Sequence, residues 1–222
     1  MRILLINPNA TASMTAGIEK AARAAALPTT EVLAVNPQGV PPAIEGYADE
    51  ALCVPPTLAL ASAEADRWDA LIIACHSDPG LEALRETLWN PVVGIGAASY
   101  LAACAAARCF SLITLYARGI PRKREQIRRL GLLDRLASIR ALGVGVVESF
   151  EGRDRLRDRY LAEAEAAVRD DGAESVVLGC AGMVGVAEEL QARLGVPVVD
   201  PVAAAVKLAE ACGPIRRGRR PR

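Results

Sequence analysis

Two stretches of the chain repeat each other. "DALIIACHSDPGLEALRETLWNPVVGIGAAS" starts at Asp69, and "ESVVLGCAGMVGVAEELQARLGVPVVDPVAAA" starts at Glu174. At a shift of 105 residues Cys75 falls on Cys180 and Gly80 on Gly185. One further inserted residue brings Pro91-Val92-Val93 onto Pro197-Val198-Val199. Each copy reads acid, apolar run, cysteine, turn, helix, "PVV", small-residue helix. The opening run "RILLIN" (2–7) also resembles "FSLITL" (110–115). A chain that repeats itself in this way folds as two similar halves, not as one large sheet.

The halves are of the α/β class. Continuously apolar, β-branched runs such as "LLI", "LIIA" and "SVVL" suit strands of a parallel sheet covered on both faces. Strands are expected at 2–7, 31–35, 70–75, 92–95, 110–115, 143–148, 175–179 and 196–199. Helices are expected at 13–26, 54–67, 81–88, 97–108, 121–130, 152–170, 184–194 and 202–212. Ser13 is placed to cap the first helix, and Pro121 suits the first turn of its own.

The charge balance narrows the partners. With 26 basic and 26 acidic residues the formal net charge is zero, which argues for neither a nucleic-acid partner nor a membrane partner. The basic run at 118–129 reads as a solvated helix face, and the basic tail at 214–222 as a mobile end. "MRILLINPN" is too short for a secretory leader, and no run has the roughly 18 apolar residues of a membrane span. Six cysteines are therefore expected as reduced thiols in the cytoplasm. They show no metal-ligand spacing, and the chain has one histidine, so no metal site is expected. The "GIG" at 94–96 lacks the rest of a phosphate-binding fingerprint.

Cysteine at a strand tip can be a small core residue or a reactive one. Cys53, Cys104, Cys109 and Cys212 fit the first reading. Cys75 and Cys180 fit the second, because they hold equivalent places in the two copies. Ligands of open parallel sheets bind beyond the carboxyl ends of the strands. If the halves face each other about a pseudo-twofold axis, both thiols point into one cleft. A helix expected directly after each would favour thiolate. Two opposed thiols suit two-base racemisation, one removing a proton and the other delivering one to the opposite face. The N–H groups of Ser77, Asp78, Gly182 and Met183 would hold the enolate oxygen. Glycines 179, 182 and 185 would let substrate approach the backbone.

Seven motifs carry a resemblance: "NPNATASMT" (7–15), "IEGYADEA" (44–51), "CHSDPGLEALRE" (75–86), "PVVGIGAAS" (91–99), "FSLIT" (110–114), "VVLGCAGM" (176–183) and "PVVDPVAAAVKLAE" (197–210). Over nearly its whole length the chain resembles the hydantoin/allantoin racemases of the aspartate/glutamate racemase superfamily. The resemblance implies two Rossmann-like lobes with parallel sheets, related by a pseudo-twofold axis, with the active site between them. The first lobe is expected to comprise 1–95 plus 202–222, and the second 96–201. Cys75 and Cys180 are implied as the acid/base pair, with no cofactor. The chain departs from the usual family pattern at Ala10, His76, Ala97 and Pro201.

Asn9, His76, Ser77 and Asp78 are the expected substrate contacts in the first half. Thr114, Gly179, Ala181 and Gly182 are those in the second. Several have ordinary alternatives. His76 could tune Cys75, touch substrate or be structural. Asp78 before Pro-Gly could serve the turn alone. Asn7 and Asn9 could hold a substrate carbonyl or form a plain Asn-Pro turn. The reach of Arg118 is not legible. Segments 7–15, 75–81, 111–117 and 180–186 contain no Lys or Arg. A diacid substrate would want a cation there, so a neutral cyclic amide is expected, either a 5-substituted hydantoin or allantoin. A homo-oligomer is expected. The rival readings are a related racemase or isomerase, and a non-catalytic small-molecule binding protein on the same scaffold.

Overall fold

The computed structural model describes residues 1–183, 186–213 and 215. Gly185 and nearly all of the basic tail therefore lie outside the described residues. The chain divides into two compact units, Met1–Ile95 with the segment from Val202, and Gly96–Pro201.

The first unit holds a parallel sheet of β1 (Arg2–Ile6), β2 (Glu31–Val35), β3 (Ala70–Ile73) and β4 (Val92–Gly94), in the order β2-β1-β3-β4. Between the strands run α1 (Ala12–Ala25), α2 (Tyr47–Glu64) and α3 (Leu81–Thr87). One face buries Leu4, Ile6, Leu71 and Ile73 against Trp68, Leu84 and Leu88. Ile3, Leu5 and Ile72 are fully buried as well, as a sheet covered on both sides requires. After leaving the unit through α4 (Ile95–Ala106), the chain returns to it as α9 (Pro201–Cys212). There the Glu210 carboxylate accepts a 2.7 Å bond from the Leu27 N–H.

The second unit holds β5 (Phe110–Thr114), β6 (Leu136–Ala141), β7 (Val176–Leu178) and β8 (Val198–Val199), all parallel, in the order β6-β5-β7-β8. Its helices are most of α4, then α5 (Ile120–Arg129), α6 (Val146–Glu151), α7 (Arg153–Arg169) and α8 (Ala187–Leu194). Tyr100 and Phe110 stack in its core with centroids 5.5 Å apart, beside Leu112, Ile127 and Val177. The two strand orders are the same order in two copies.

Backbone hydrogen bonds set the register of the repeat. Ala74 N–H bonds the Ile6 carbonyl at 2.9 Å, and Gly179 N–H bonds the Ile113 carbonyl at 2.8 Å. Leu71 N–H bonds the Pro91 carbonyl and Val176 N–H the Pro197 carbonyl, both at 2.9 Å. These pairs match Ile6 with Ile113, so Asn7 falls on Thr114. The expected match of "RILLIN" to "FSLITL" is thus out by one residue. Short apolar runs align almost equally well at either offset, and the ladder decides.

Other expectations change. Residues 143–148 are not a strand; β6 is Leu136–Ala141, and α6 starts at Val146. As an edge strand β6 is half-buried throughout and carries Ser138 and Arg140, so it does not read as a continuous apolar run. α2 starts at Tyr47 rather than residue 54, with Pro55 and Pro56 inside it. The Asp49 carboxylate accepts from the N–H groups of Glu45 and Gly46 at 2.8 and 2.9 Å, which anchors that early start. The carbonyls the prolines leave unbonded belong to Ala51 and Leu52, which are exposed to water. Ser13 is inside α1; the residue at the cap is Thr11, whose hydroxyl donates to the Pro42 carbonyl at 2.7 Å. Pro121 does lie in the first turn of α5. That helix is charged and largely exposed, with Lys123 and Ile127 buried.

Candidate active site

Both cysteines lie just past the carboxyl end of an inner strand, Cys75 after β3 and Cys180 after β7. Each opens a closed turn. Asp78 N–H bonds the Cys75 carbonyl at 2.9 Å, and Met183 N–H bonds the Cys180 carbonyl at 3.1 Å. These four residues are equivalent in the repeat. After Cys75 the turn leads into α3, which starts at Leu81 as expected, and a short 3₁₀ turn, Ala181–Met183, follows Cys180 ahead of α8, which starts at Ala187. The turns also engage the Asp78 and Met183 N–H groups, which were expected to face substrate.

In the first unit the Cys75 sulfur lies 3.3 Å from the Ser77 hydroxyl. Cys75 is partly exposed, and His76 between them is 3% exposed. The tips of β1 and β2 supply amides. Asn7 Nδ2 donates to Asn9 Oδ1 and to Thr15 Oγ1, both at 3.0 Å. Asn9 Oδ1 also accepts from Thr11 N–H at 2.9 Å, and Thr15 Oγ1 donates to Asn36 Oδ1 at 3.0 Å. Asn7 has both amide protons bonded within the protein. Asn9 Nδ2 has a weaker acceptor, the Met14 sulfur at 3.5 Å. Of the two asparagines, Asn9 is the one suited to a further acceptor.

In the second unit Cys180 is buried, and so are Thr114, Gly179 and Ala181. Gly179 serves the sheet: a Cβ there would lie 2.6 Å from the Ile113 carbonyl oxygen and 3.2 Å from Thr114 Cα. That contact leaves no room for a side chain. Tyr116, two residues past Thr114, was not singled out by the sequence. Its ring covers Gly119, where a Cβ would stand 2.9 Å from the ring, and the Arg118 guanidinium lies 5.1 Å from its centroid. Arg118 therefore reaches back onto Tyr116. The signal available was an aromatic next to a strand tip already marked by Thr114.

The remaining thiols differ from this pair. Cys53 is fully buried in α2, and burial, then Cys75, then Asp49 and Glu50 push its pKa up to about 11. Burial also raises the Cys104 thiol, with Arg135 opposing. Cys109 donates to the Gly172 carbonyl at 3.3 Å. Among the described residues no cluster of three His, Cys, Asp or Glu could hold a metal ion, and no helix is long and apolar enough to cross a membrane.

Two α/β units, each with a parallel sheet and a cysteine on a closed turn at the end of its third strand, define the class of the Asp/Glu racemase fold. The match to the Asp/Glu/hydantoin racemase family model runs over residues 3–209. A hydantoin racemase of Rhizobium meliloti is 44% identical over 212 residues, covering 95% of this chain and 88% of that protein. A hydantoin racemase of Pseudomonas sp. (strain NS671) is 42% identical, covering 95% and 85%. The solved structure of allantoin racemase from Klebsiella pneumoniae superposes with a TM-score of 0.93 at 37% identity, covering 97% of this chain and 88% of that one. The chain belongs to the Asp/Glu/hydantoin racemase family, and it is an isomerase.

Proposed function

We propose that the protein racemises hydantoin-type cyclic amides, 5-monosubstituted hydantoins or allantoin, by proton transfer between Cys75, Cys180 and one ring carbon. The observation that carries this is the equivalence of the two cysteines: same strand, same end, same turn closure at the third residue. The names of the relatives support the substrate class. So does the lack of Lys and Arg at the strand-end segments 7–15, 75–81 and 111–117, since a neutral ring needs no cationic clamp.

In this scheme one cysteine acts as thiolate and takes the proton from the ring carbon adjacent to a carbonyl. The C–H electron pair moves into the ring as an enolate. The other cysteine, as thiol, delivers a proton to the opposite face, and the two sulfurs end the turnover with exchanged protonation states. The middle N–H groups of a tight turn have no acceptor within it. Ser77 and Gly182 hold those positions and are assigned to the enolate oxygen. The Ser77 hydroxyl donates to Cys75 when that sulfur is anionic. Asn9, His76, Thr114 and Ala181 are assigned to the walls of the site. No step needs a cofactor, so dialysis against chelator should leave the rate unchanged.

The test uses enantiopure substrate in deuterium oxide. Cys75→Ser and Cys180→Ser should each abolish net racemisation. Each should still exchange the ring hydrogen of one enantiomer, and the two should prefer opposite enantiomers. If either variant racemises at the wild-type rate, the pair is not the acid and base. If the native protein binds hydantoins and allantoin but exchanges no hydrogen, it is a binding protein for this class.

A further inference from the structure

Asp78 is the one non-glycine residue with positive φ among the described residues, at 51°. It closes the Cys75 turn through its N–H, and its carboxylate goes to a specific place. A Cβ on Gly94 would lie 2.3 Å from Asp78 Cγ, 2.4 Å from Oδ1 and 2.7 Å from Oδ2. The carboxylate therefore rests on the bare Cα of the last residue of β4, immediately before α4 begins at Ile95. The left-handed backbone is what aims it there. Asp and Asn tolerate that region better than most residues, yet it still costs free energy.

The second unit presents the same corner with the residues exchanged. Met183 is the equivalent of Asp78, and Asp200 the equivalent of Gly94. Asp200 directly precedes α9, whose first residue is Pro201. Each of the two equivalent helices thus begins next to one carboxylate, a favourable place for negative charge. For α9 the acid comes from the residue before the helix. For α4 that position is glycine, and the acid comes from the turn that carries Cys75.

We infer that Asp78 is a positioning residue: docked on Gly94, it ties the Cys75 turn to the β4–α4 corner and so fixes where the Cys75 sulfur points. The inference rests on the assignment of Cys75 as a proton-transfer group. It does not make Asp78 a substrate contact.

The contact and its consequence are tested together with Asp78→Ala, Asp78→Asn, Gly94→Ala and the Asp78→Ala/Gly94→Ala double variant, each checked for folding by circular dichroism. Misplacing a reacting group by about 1 Å can cost on the order of 100-fold. Asp78→Ala and Gly94→Ala should each lower kcat about 10- to 100-fold with KM within about 2-fold. Asp78→Asn keeps the short polar side chain and the tolerance for left-handed backbone, and should recover most of that loss. In the double variant the added methyl meets no carboxylate, so it should be no slower than Asp78→Ala alone. Independently of activity, the iodoacetamide labelling rate of Cys75, read by peptide mass spectrometry, should change in Asp78→Ala, while that of Cys180 should not. Additive losses in the double variant would overturn the inference. So would a raised KM at unchanged kcat, or unchanged Cys75 labelling. Full activity of Cys75→Ser would instead overturn the proposed function and leave the labelling result standing.

Discussion

The Cys75 sulfur and the Ser77 hydroxyl stand 3.3 Å apart, two residues from each other on one closed turn. A hydroxyl at that distance is a donor to thiolate and an acceptor from thiol, so one contact serves both states of the cysteine in the proposed acid/base role. Hydrogen bonds to charged groups contribute about 1.5–3 kcal/mol. Ser77→Ala should therefore lower kcat by roughly 10- to 100-fold, while the melting temperature changes little because Ser77 is partly exposed. Steady-state polarimetry beside a thermal melt checks both. An unchanged kcat would remove Ser77 from the proton-transfer step.

Gly179 should tolerate no side chain. Its Cβ would meet backbone, the Ile113 oxygen at 2.6 Å, and backbone cannot turn aside. Gly179→Ala should cost about 3 kcal/mol or more. Gly39→Ala is the control: φ is +71° with nothing within 4 Å, so only the left-handed strain of about 1 kcal/mol applies. Urea unfolding of the two variants should rank them in that order, and equal stabilities would contradict the close approach of β7 to β5.

Cys53 links stability to alkaline pH. Burial, with Cys75 next in effect, raises its pKa to about 11, against about 8.5 in an unfolded chain. A thiol whose folded pKa is raised contributes stability in full below the unfolded value and loses it as pH rises toward the folded one. The native protein should weaken between about pH 8.5 and 11. Cys53→Ala should flatten that part of the profile at a packing cost of about 1 kcal/mol. Denaturant midpoints across the range are the measurement, and parallel profiles would show that Cys53 does not titrate there. At neutral pH it should also be a slow site for iodoacetamide.

Asp171 acts at the other end of the scale. It receives Arg140 through two bonds of 2.6 and 2.9 Å and the Ser138 hydroxyl at 2.5 Å. Arg140 first, then Ser138, hold its carboxyl below the ordinary range. A depressed carboxylate contributes stability above its unfolded pKa and loses it as pH falls through the folded one. Asp171→Asn should cost about 1–2 kcal/mol at pH 7 and make stability fall less steeply below about pH 4. If the acid limbs of the two proteins coincide, the pair contributes nothing.

The amino-acid sequence alone determined the α/β class and the duplication, because a continuous apolar run of β-branched residues has few other uses and the second copy repeats the pattern. Within that pattern the two cysteines were already singled out at the ends of β3 and β7. What needed tertiary structure was everything set by a neighbour distant in the chain. The edge strand β6 reads as polar because Arg140 has Asp171 to meet. α2 begins early because Asp49 caps it and water donates to the carbonyls its prolines leave unbonded. The match of Asn7 to Thr114 rests on a hydrogen-bond ladder that leaves no trace in one-dimensional spacing. Gly94 looks in sequence like one more small residue before a helix. Only the folded chain brings Asp78 onto it, since a left-handed residue 16 positions earlier must first aim its carboxylate at a place where no Cβ stands.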